Sequence, residues 1–376
     1  HGKPVRFQED PGHDDRQLDG RRHRRNGPRA EVQVSLTGLS EKPRPAGLFC
    51  FRLFSVCHLQ SRMTTFRAWI DACRPKTLVA AVAPIALGGA VVVAYSGASD
   101  LWANQVFVLT LLSCLGFALC VQVACNFAND LGDSLRGADT AARIGPRRAV
   151  SSGDISPAAM RRGIWIACLL ALVLGAPVAL LSPWLLLAGL LAIACALAYT
   201  LGPFPLAYRG LGDVFVVGCF GVQATVLTAW AICTPESGDC GCSTPPMPWA
   251  PALLAGLGLG LLADNILVAN NARDYETDLA VGKRTTVVRF GRGFARNLHG
   301  FNSVVGLACL GHVFGWAPMA LLPLAVWQHL GFRRAAQPAD FLPFLGRAAV
   351  LMLLATILCV TATCLGWVPA DSLWMR

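Results

Sequence analysis

From residue 77 to residue 368 the chain keeps returning to apolar stretches about as long as a bilayer is thick. A helix rises about 1.5 Å per residue, so roughly twenty apolar residues cross the hydrocarbon core. Nine such windows can be marked, near 77–96, 104–128, 163–181, 184–201, 212–232, 249–270, 298–314, 316–330 and 346–368. The seventh and eighth are short and nearly touch, which reads as paired short spans with a tight turn. Only 14% of the residues are charged, where soluble domains carry about 25%, too few to cover a water-facing surface. The expected fold is all-α: an integral membrane bundle of about nine transmembrane helices.

The net charge of +10 raises nucleic acid as a partner. The basic residues, however, fall in short clusters between apolar runs, which is the pattern of membrane topology and excludes a nucleic-acid patch. Arg67, Arg74 and Lys76 precede the first window, and Arg136, Arg143, Arg147, Arg148, Arg161 and Arg162 follow the second. Arg209, the group from Arg273 to Arg296, and Arg333, Arg334 and Arg347 fall on the same side when loops are numbered alternately. The opposite set holds no lysine or arginine except Arg376. A multi-pass protein of the cell membrane is expected, with the basic loops cytoplasmic.

Residues 1–62 differ from the rest, being polar, rich in Arg, Asp and Gly and without apolar period. They are expected to be a disordered tail or a non-native extension ahead of Met63, leaving 63–376 as the transmembrane domain. Most of the 15 cysteines sit singly in apolar runs, where they act as small hydrophobes. Cys233, Cys240 and Cys242 share one loop on the side away from the basic residues, leaving open a disulfide or unpaired thiols.

Two acidic clusters break the pattern. In VACNFANDLGDSLRGADTAARIGPRR (123–148), Asn126, Asn129, Asp130 and Asp133 recur at three- and four-residue spacing, so on a helix they share a face. Asp139 follows in the loop. In DNILVANNARDYETDLAVGKRTTVVRFG (264–291), Asn270, Asp274 and Asp278 fall at i, i+4 and i+8, with Lys283 close behind. Both clusters end even-numbered windows on the basic side. Carboxylates crowded near a bilayer repel one another and need a cation to offset them. Hard oxygen ligands with open positions suit Mg²⁺ shared with a phosphate, and nearby arginines and Lys283 suit the remaining phosphate oxygens. One such cluster is an ordinary solvated helix end; two matched ones on one side point to a site.

These residues resemble the aspartate-rich motifs of the UbiA prenyltransferase superfamily, NDxxD at Asn129, Asp130 and Asp133 and DxxxD at Asp274 and Asp278. The resemblance covers about residues 65–368. CRPKTL (73–78), LAYTLGPFPLAYRGLGDVFV (197–216), Asn129 to Arg148 and Asn270 to Gly291 are similar to the branch that prenylates 1,4-dihydroxy-2-naphthoate. Gly137 followed by Asp139, where hydroxybenzoate-using relatives carry an Asp at the first of these, favours that branch. The resemblance implies a helical bundle around a central cavity, with a polyprenyl tail among apolar helices and its diphosphate at the aspartates. It implies a membrane-bound aromatic polyprenyltransferase of menaquinone synthesis, whose partners are polyprenyl diphosphate, an aromatic acceptor and the bilayer.

By that resemblance Asp130, Asp133, Asp274 and Asp278 are the catalytic carboxylates and, with Asn129, the ligands of Mg²⁺. Asn126, Lys283 and Arg143 are expected at the substrate, as are Arg74, Lys76, Arg147 and Asn270, any of which could meet the aromatic carboxylate. Bland readings for the last four are membrane anchors and a helix–helix hydrogen bond. Tyr199 is expected to face a developing cation, or else to be an interfacial belt residue. The rival readings are prenylation of another acceptor such as 4-hydroxybenzoate, and a secondary transporter. Transporter sites favour the bilayer midplane, whereas both clusters here lie at span ends.

Overall fold

The computed structural model describes residues 65–96, 99–139, 144–234 and 246–368. Residues 1–62, Arg143, Cys240 and Cys242 lie outside the described residues. The described residues are helical, with no strand among them. Nine helices follow the nine apolar windows: α1 Val79–Ser96, α2 Gln105–Leu135, α3 Pro157–Ala179, α4 Pro183–Ala198, α5 Gly212–Cys233, α6 Trp249–Arg273, α7 Thr286–Phe314, α8 Leu322–Arg334 and α9 Leu342–Cys364. Six of the described segments are long and apolar enough to cross a membrane by length and composition: α1, α2, α3, α5, α6 and the 338–364 segment that contains α9. Helix α4 is apolar but shorter.

Local chemistry sets the starts. Asn104 accepts from the Val106 and Phe107 amides, Ser156 from Ala159 and Ser182 from Trp184. Each satisfies backbone donors that the first helical turn leaves free, and Pro157 and Pro183 then fit the first position, where no donor is needed. Helix α7 begins at Thr286, well before the expected 298, with Thr285 accepting from Val288, and is kinked at Gly291, whose φ of 80° and ψ of 170° are not helical. Its first turns carry Arg289, Arg292 and Arg296, so an apolar count cannot see them.

Helix α6 is the central element and packs against α1, α5, α7 and α9. Leu87, Leu259, Leu262, Leu310, Leu351 and Met352 fill that core with almost no exposure. Helix α5 is π-helical over Val216–Gln223. That stretch meets α6 at Gly221, Gly256 and Gly260, where backbone lies on backbone. A second cluster joins α2 and α3 through Phe127, Met160 and Ile164. Outward faces carry Trp165, Leu169, Val173, Trp184 and Leu187 in the open, as lipid contact requires and water would penalise.

Candidate active site

The last turns of α2 carry Asn126, Asn129, Asp130 and Asp133 on one face, as their spacing demands. Each is held by a different partner. Asn126 donates to the Cys73 carbonyl at 2.8 Å and to Thr77 Oγ1 at 3.1 Å. Asn129 accepts from Thr200 Oγ1 at 2.8 Å. Asp130 accepts from the amides of Ala149 and Val150 at 3.0 and 3.2 Å. Asp133 accepts from the Tyr208 hydroxyl at 2.9 Å and from Arg148 at 3.4 Å. The sequence explains the approach of the 199–211 segment: a Cβ at Gly132 would stand 2.8 Å from the Thr200 carbonyl. Arg136 clamps the same carbonyl at 2.6 Å.

The second cluster departs from the expected single helix face. Helix α6 ends at Arg273, Asp274 is its cap, and Asp278 sits on a separate short helix, Tyr275–Ala280. The i+4 relation survives through the Asp278 amide, which donates to the Asp274 carbonyl at 2.8 Å. Arg273, buried, grips both Asp274 oxygens at 2.7 and 2.6 Å and reaches Asn270 Oδ1 at 2.7 Å. That fork geometry is the strong form of an ion pair.

Lys283 joins the two clusters. Its ammonium lies 3.4 Å from Asp278 and 5.4 Å over the Tyr208 ring. Burial alone would lower its pKa, but Asp133, Asp278 and Asp274 outweigh that and raise it, so it stays cationic. Burial pushes Asp278 up to about 6, with Lys283 pulling it back and Asp274 and Asp133 adding to the rise. Burial and then Asp133 raise the Tyr208 hydroxyl, which remains a donor.

Both motifs, with Lys283, Arg148 and Arg273, line one cavity of about 940 Å³ whose remaining wall is mostly apolar, including Phe117, Leu172, Leu186 and Phe220. The same cavity brings in Arg74, Lys76, Asp139, Arg147 and Tyr199. Arg74 has φ 51°, the one positive-φ non-glycine among the described residues, a strain of the kind that gathers at functional sites. Arg147 is turned outward, 70% exposed and paired with Asp154 at 2.8 Å. Its neighbour Arg148, at 13%, bridges Asp133 and Asp139. Sequence reasoning named Arg147 and missed Arg148 and Tyr208, because contacts across 15 and 75 residues leave no periodic signal, and missed Arg273, whose contacts are local but whose burial is not visible in a charge count.

The donor set can be tested against a divalent cation. Among the described residues no three His, Cys, Asp or Glu side chains stand close enough to hold a metal alone. One buried oxygen, Asp278 Oδ2, meets no donor. Single carboxylates flanked by Lys283, Arg148 and Arg273 fit Mg²⁺ completed by phosphate oxygens and water, and do not fit an all-protein cage.

An apolar cavity headed by two acidic motifs and buried cations now stands beside a family match: the model of the UbiA prenyltransferase family covers residues 81–344. The chain belongs to the UbiA prenyltransferase family. It is similar to the 1,4-dihydroxy-2-naphthoate octaprenyltransferase of Escherichia coli strain K12, 32% identical over 317 residues, which span 80% of this chain and 96% of that protein. The Haemophilus influenzae protein of the same name is 32% identical over 78% of this chain and 94% of its own length. Among solved structures, a UbiA homolog from Aeropyrum pernix K1 superposes with a TM-score of 0.54 at 16% identity, covering 77% of this chain and 98% of that one. That likeness concerns the fold. The UbiA bundle is thus shared, and its head carries the acidic motifs described above.

Proposed function

We propose that this protein transfers a polyprenyl group from polyprenyl diphosphate to 1,4-dihydroxy-2-naphthoate, releasing CO₂ and diphosphate. The product is demethylmenaquinone in its reduced form, a step of menaquinone synthesis. The observation that carries this reading is the meeting of both acidic motifs through Lys283 at the head of one apolar cavity. The naphthoate-specific names of the Escherichia coli and Haemophilus influenzae relatives support the acceptor.

The reaction must break an allylic C–O bond and carry the leaving group's charge. Mg²⁺, held by Asp130, Asp133, Asp274 and Asp278 with Asn129, would supply Lewis-acid neutralisation of the diphosphate. Lys283 and Arg148 face the same end and stabilise the oxygens that gain charge as the bond breaks. Tyr208 and Arg273 hold Asp133 and Asp274 in place. The apolar wall keeps water from the carbocation, and the Tyr199 ring lines that wall. Arg74, Lys76 and Asn270 are the groups we assign to the acceptor's carboxylate. The domain spans 63–376, with its basic side in the cytoplasm.

Carboxyl-labelled acceptors test the reading. Attack at the carboxylate-bearing carbon of the naphthoate couples each prenylation to one CO₂, whereas 4-hydroxybenzoate is prenylated with its carboxylate kept. Membranes given Mg²⁺ and a polyprenyl diphosphate should release label from the naphthoate alone. Prenylated hydroxybenzoate with label retained, and an inert naphthoate, would overturn the acceptor. In sealed vesicles the reaction should need acceptor on the cytoplasmic side; activity only from the other side would reverse the orientation.

The two adjacent arginines give a contrast. Arg148→Gln takes the cation from Asp133 and Asp139 and should slow transfer by roughly 30- to 160-fold, the equivalent of about 2–3 kcal/mol for a charged hydrogen bond. Arg147→Gln removes an exposed pair worth about 0–1 kcal/mol and should change the rate little. Initial rates in matched membranes decide; equal losses would remove the distinction.

A further inference from the structure

One carboxyl pair lies outside the two motifs. Asp213, on the first turn of α5, lines the cavity, and Asp264 of α6 stands behind it at 1% exposure. Thr286 donates to Asp213 Oδ2 at 2.8 Å, and Asn302 donates to Asp264 Oδ2 at 2.8 Å. The other two oxygens, Asp213 Oδ1 and Asp264 Oδ1, are buried and meet no donor group. The register that sets Gly221 against Gly256 and Val217 against Gly260 sets Asp213 against Asp264 one turn further along the two helices. Two buried carboxyls set against each other with no cation between them cannot both ionise cheaply, so one keeps its hydrogen. The pair therefore holds one proton and one negative charge. Its nearby partners are neutral: Thr286, Asn302 and Tyr199, whose hydroxyl lies beside Gly212. An asparagine at either position would satisfy the same bonds without an ionisable group, so the carboxyl pair is not needed for packing.

Location gives the pair a task. Asp264 precedes Asp274 by ten residues on one helix axis, about 15 Å deeper than the acidic head. An aromatic ring meeting the prenyl carbon just inside the diphosphate would lie between them. We propose that Asp213 and Asp264 are a proton store for the acceptor, Asp213 taking the ring hydroxyl's proton during C–C bond formation and returning it after CO₂ leaves.

This rests on the naphthoate reading above, and the balance closes on that chemistry. The prenyl C–O bond breaks and its electron pair leaves on diphosphate. The carboxylate-bearing ring carbon supplies the pair for the new C–C bond, the adjacent C–OH becomes C=O, and its proton passes to Asp213. The C–CO₂ bond then breaks, its electron pair returns to the ring, and the carbonyl becomes an enolate oxygen. That oxygen takes the proton back from Asp213. No net proton, oxidant or reductant is required. Asp213 is the catalytic residue, and Asp264 is a positioning residue that stores the shared proton.

The test uses the full-length protein in membranes with labelled naphthoate. Asp213→Asn should lower kcat by about 100- to 10,000-fold, the usual reach of general acid–base catalysis, with the KM for polyprenyl diphosphate within a few-fold of wild type. Raising the pH, or using a ring-substituted naphthoate with a more acidic hydroxyl, should restore part of the rate, because an ionised acceptor needs no base. Asp264→Asn, which donates a fixed hydrogen bond in place of the shared proton, should show the same rescue and serves if the first variant does not fold. A wild-type rate in either folded variant, or a loss that neither pH nor the acidic acceptor relieves, would overturn the proton store. Wild-type protein that leaves the naphthoate untouched would instead sink the acceptor assignment.

Discussion

Asp133→Asn and Asp278→Asn should each give a protein that inserts and folds yet transfers prenyl groups orders of magnitude more slowly. The amide keeps the volume and can still accept from Tyr208 or face Lys283. What it loses is the negative charge that would hold a divalent cation on the diphosphate. Several kcal/mol of transition-state stabilisation then disappear, and each 1.36 kcal/mol is a factor of ten in rate. Asp274→Asn should behave alike, with the added cost of leaving Arg273 buried and half-paired. Asp130→Asn also loosens the 149–150 backbone that its oxygens anchor. Chelation by EDTA should abolish transfer and Mg²⁺ should restore it. Product formation in membranes with matched protein amounts measures all of this. Full activity in chelator, or in two of the four variants, would remove the metal–diphosphate site.

The first motif was legible because its four side chains sit on one regular helix, where spacing alone fixes a face. The second was legible in composition but not in shape. Residues at i, i+4 and i+8 suggest a continuous helix, yet the chain leaves α6 at Asp274, and periodicity does not register a cap. Lys283 was readable as a nearby cation; its position among Asp133, Asp274 and Asp278 was not. Arg148 and Arg147 are equivalent in a charge count and opposite in the fold, because the 144–155 segment folds back over Asp130 and buries only one of them. Helix α7 shows the limit of hydropathy. Its first turns, kinked at Gly291, are held by the Thr285 cap on one side and by Arg292 and Arg296 reaching Glu276 and the Ala335 carbonyl on the other. The Asp213–Asp264 pair was invisible for the same cause: the two residues are distant in sequence and meet only because α5 and α6 touch.

That contact is the basis of the second expected result, which is a loss of the fold rather than of a chemical step. Gly260→Leu should leave little folded protein. A Cβ at Gly260 would meet the Val217 carbonyl at 2.6 Å and its Cα at 2.9 Å, and Gly221 in turn lies against the Gly256 and Gly260 backbone. Neither partner is a flexible side-chain tip, so the strain cannot relax by rotation. Overpacking ordinarily costs about 1–3 kcal/mol, and here two helix axes must separate, which pushes the expected loss to that upper end or beyond. In a bilayer there is little hydrophobic force to draw the helices back, since lipid tails are as apolar as leucine; close backbone approach is itself the source of attraction. Separation would also part Asp213 from Asp264 and open the cavity wall between them. Gly218→Ala in the same π-helical stretch is the control, because its Cβ would enter open space. Size-exclusion profiles and thermal aggregation midpoints after detergent extraction compare the two. A Gly260→Leu protein that extracts and melts like wild type would show that α5 and α6 have room to spare, and the tight crossing would no longer explain how the cavity is held.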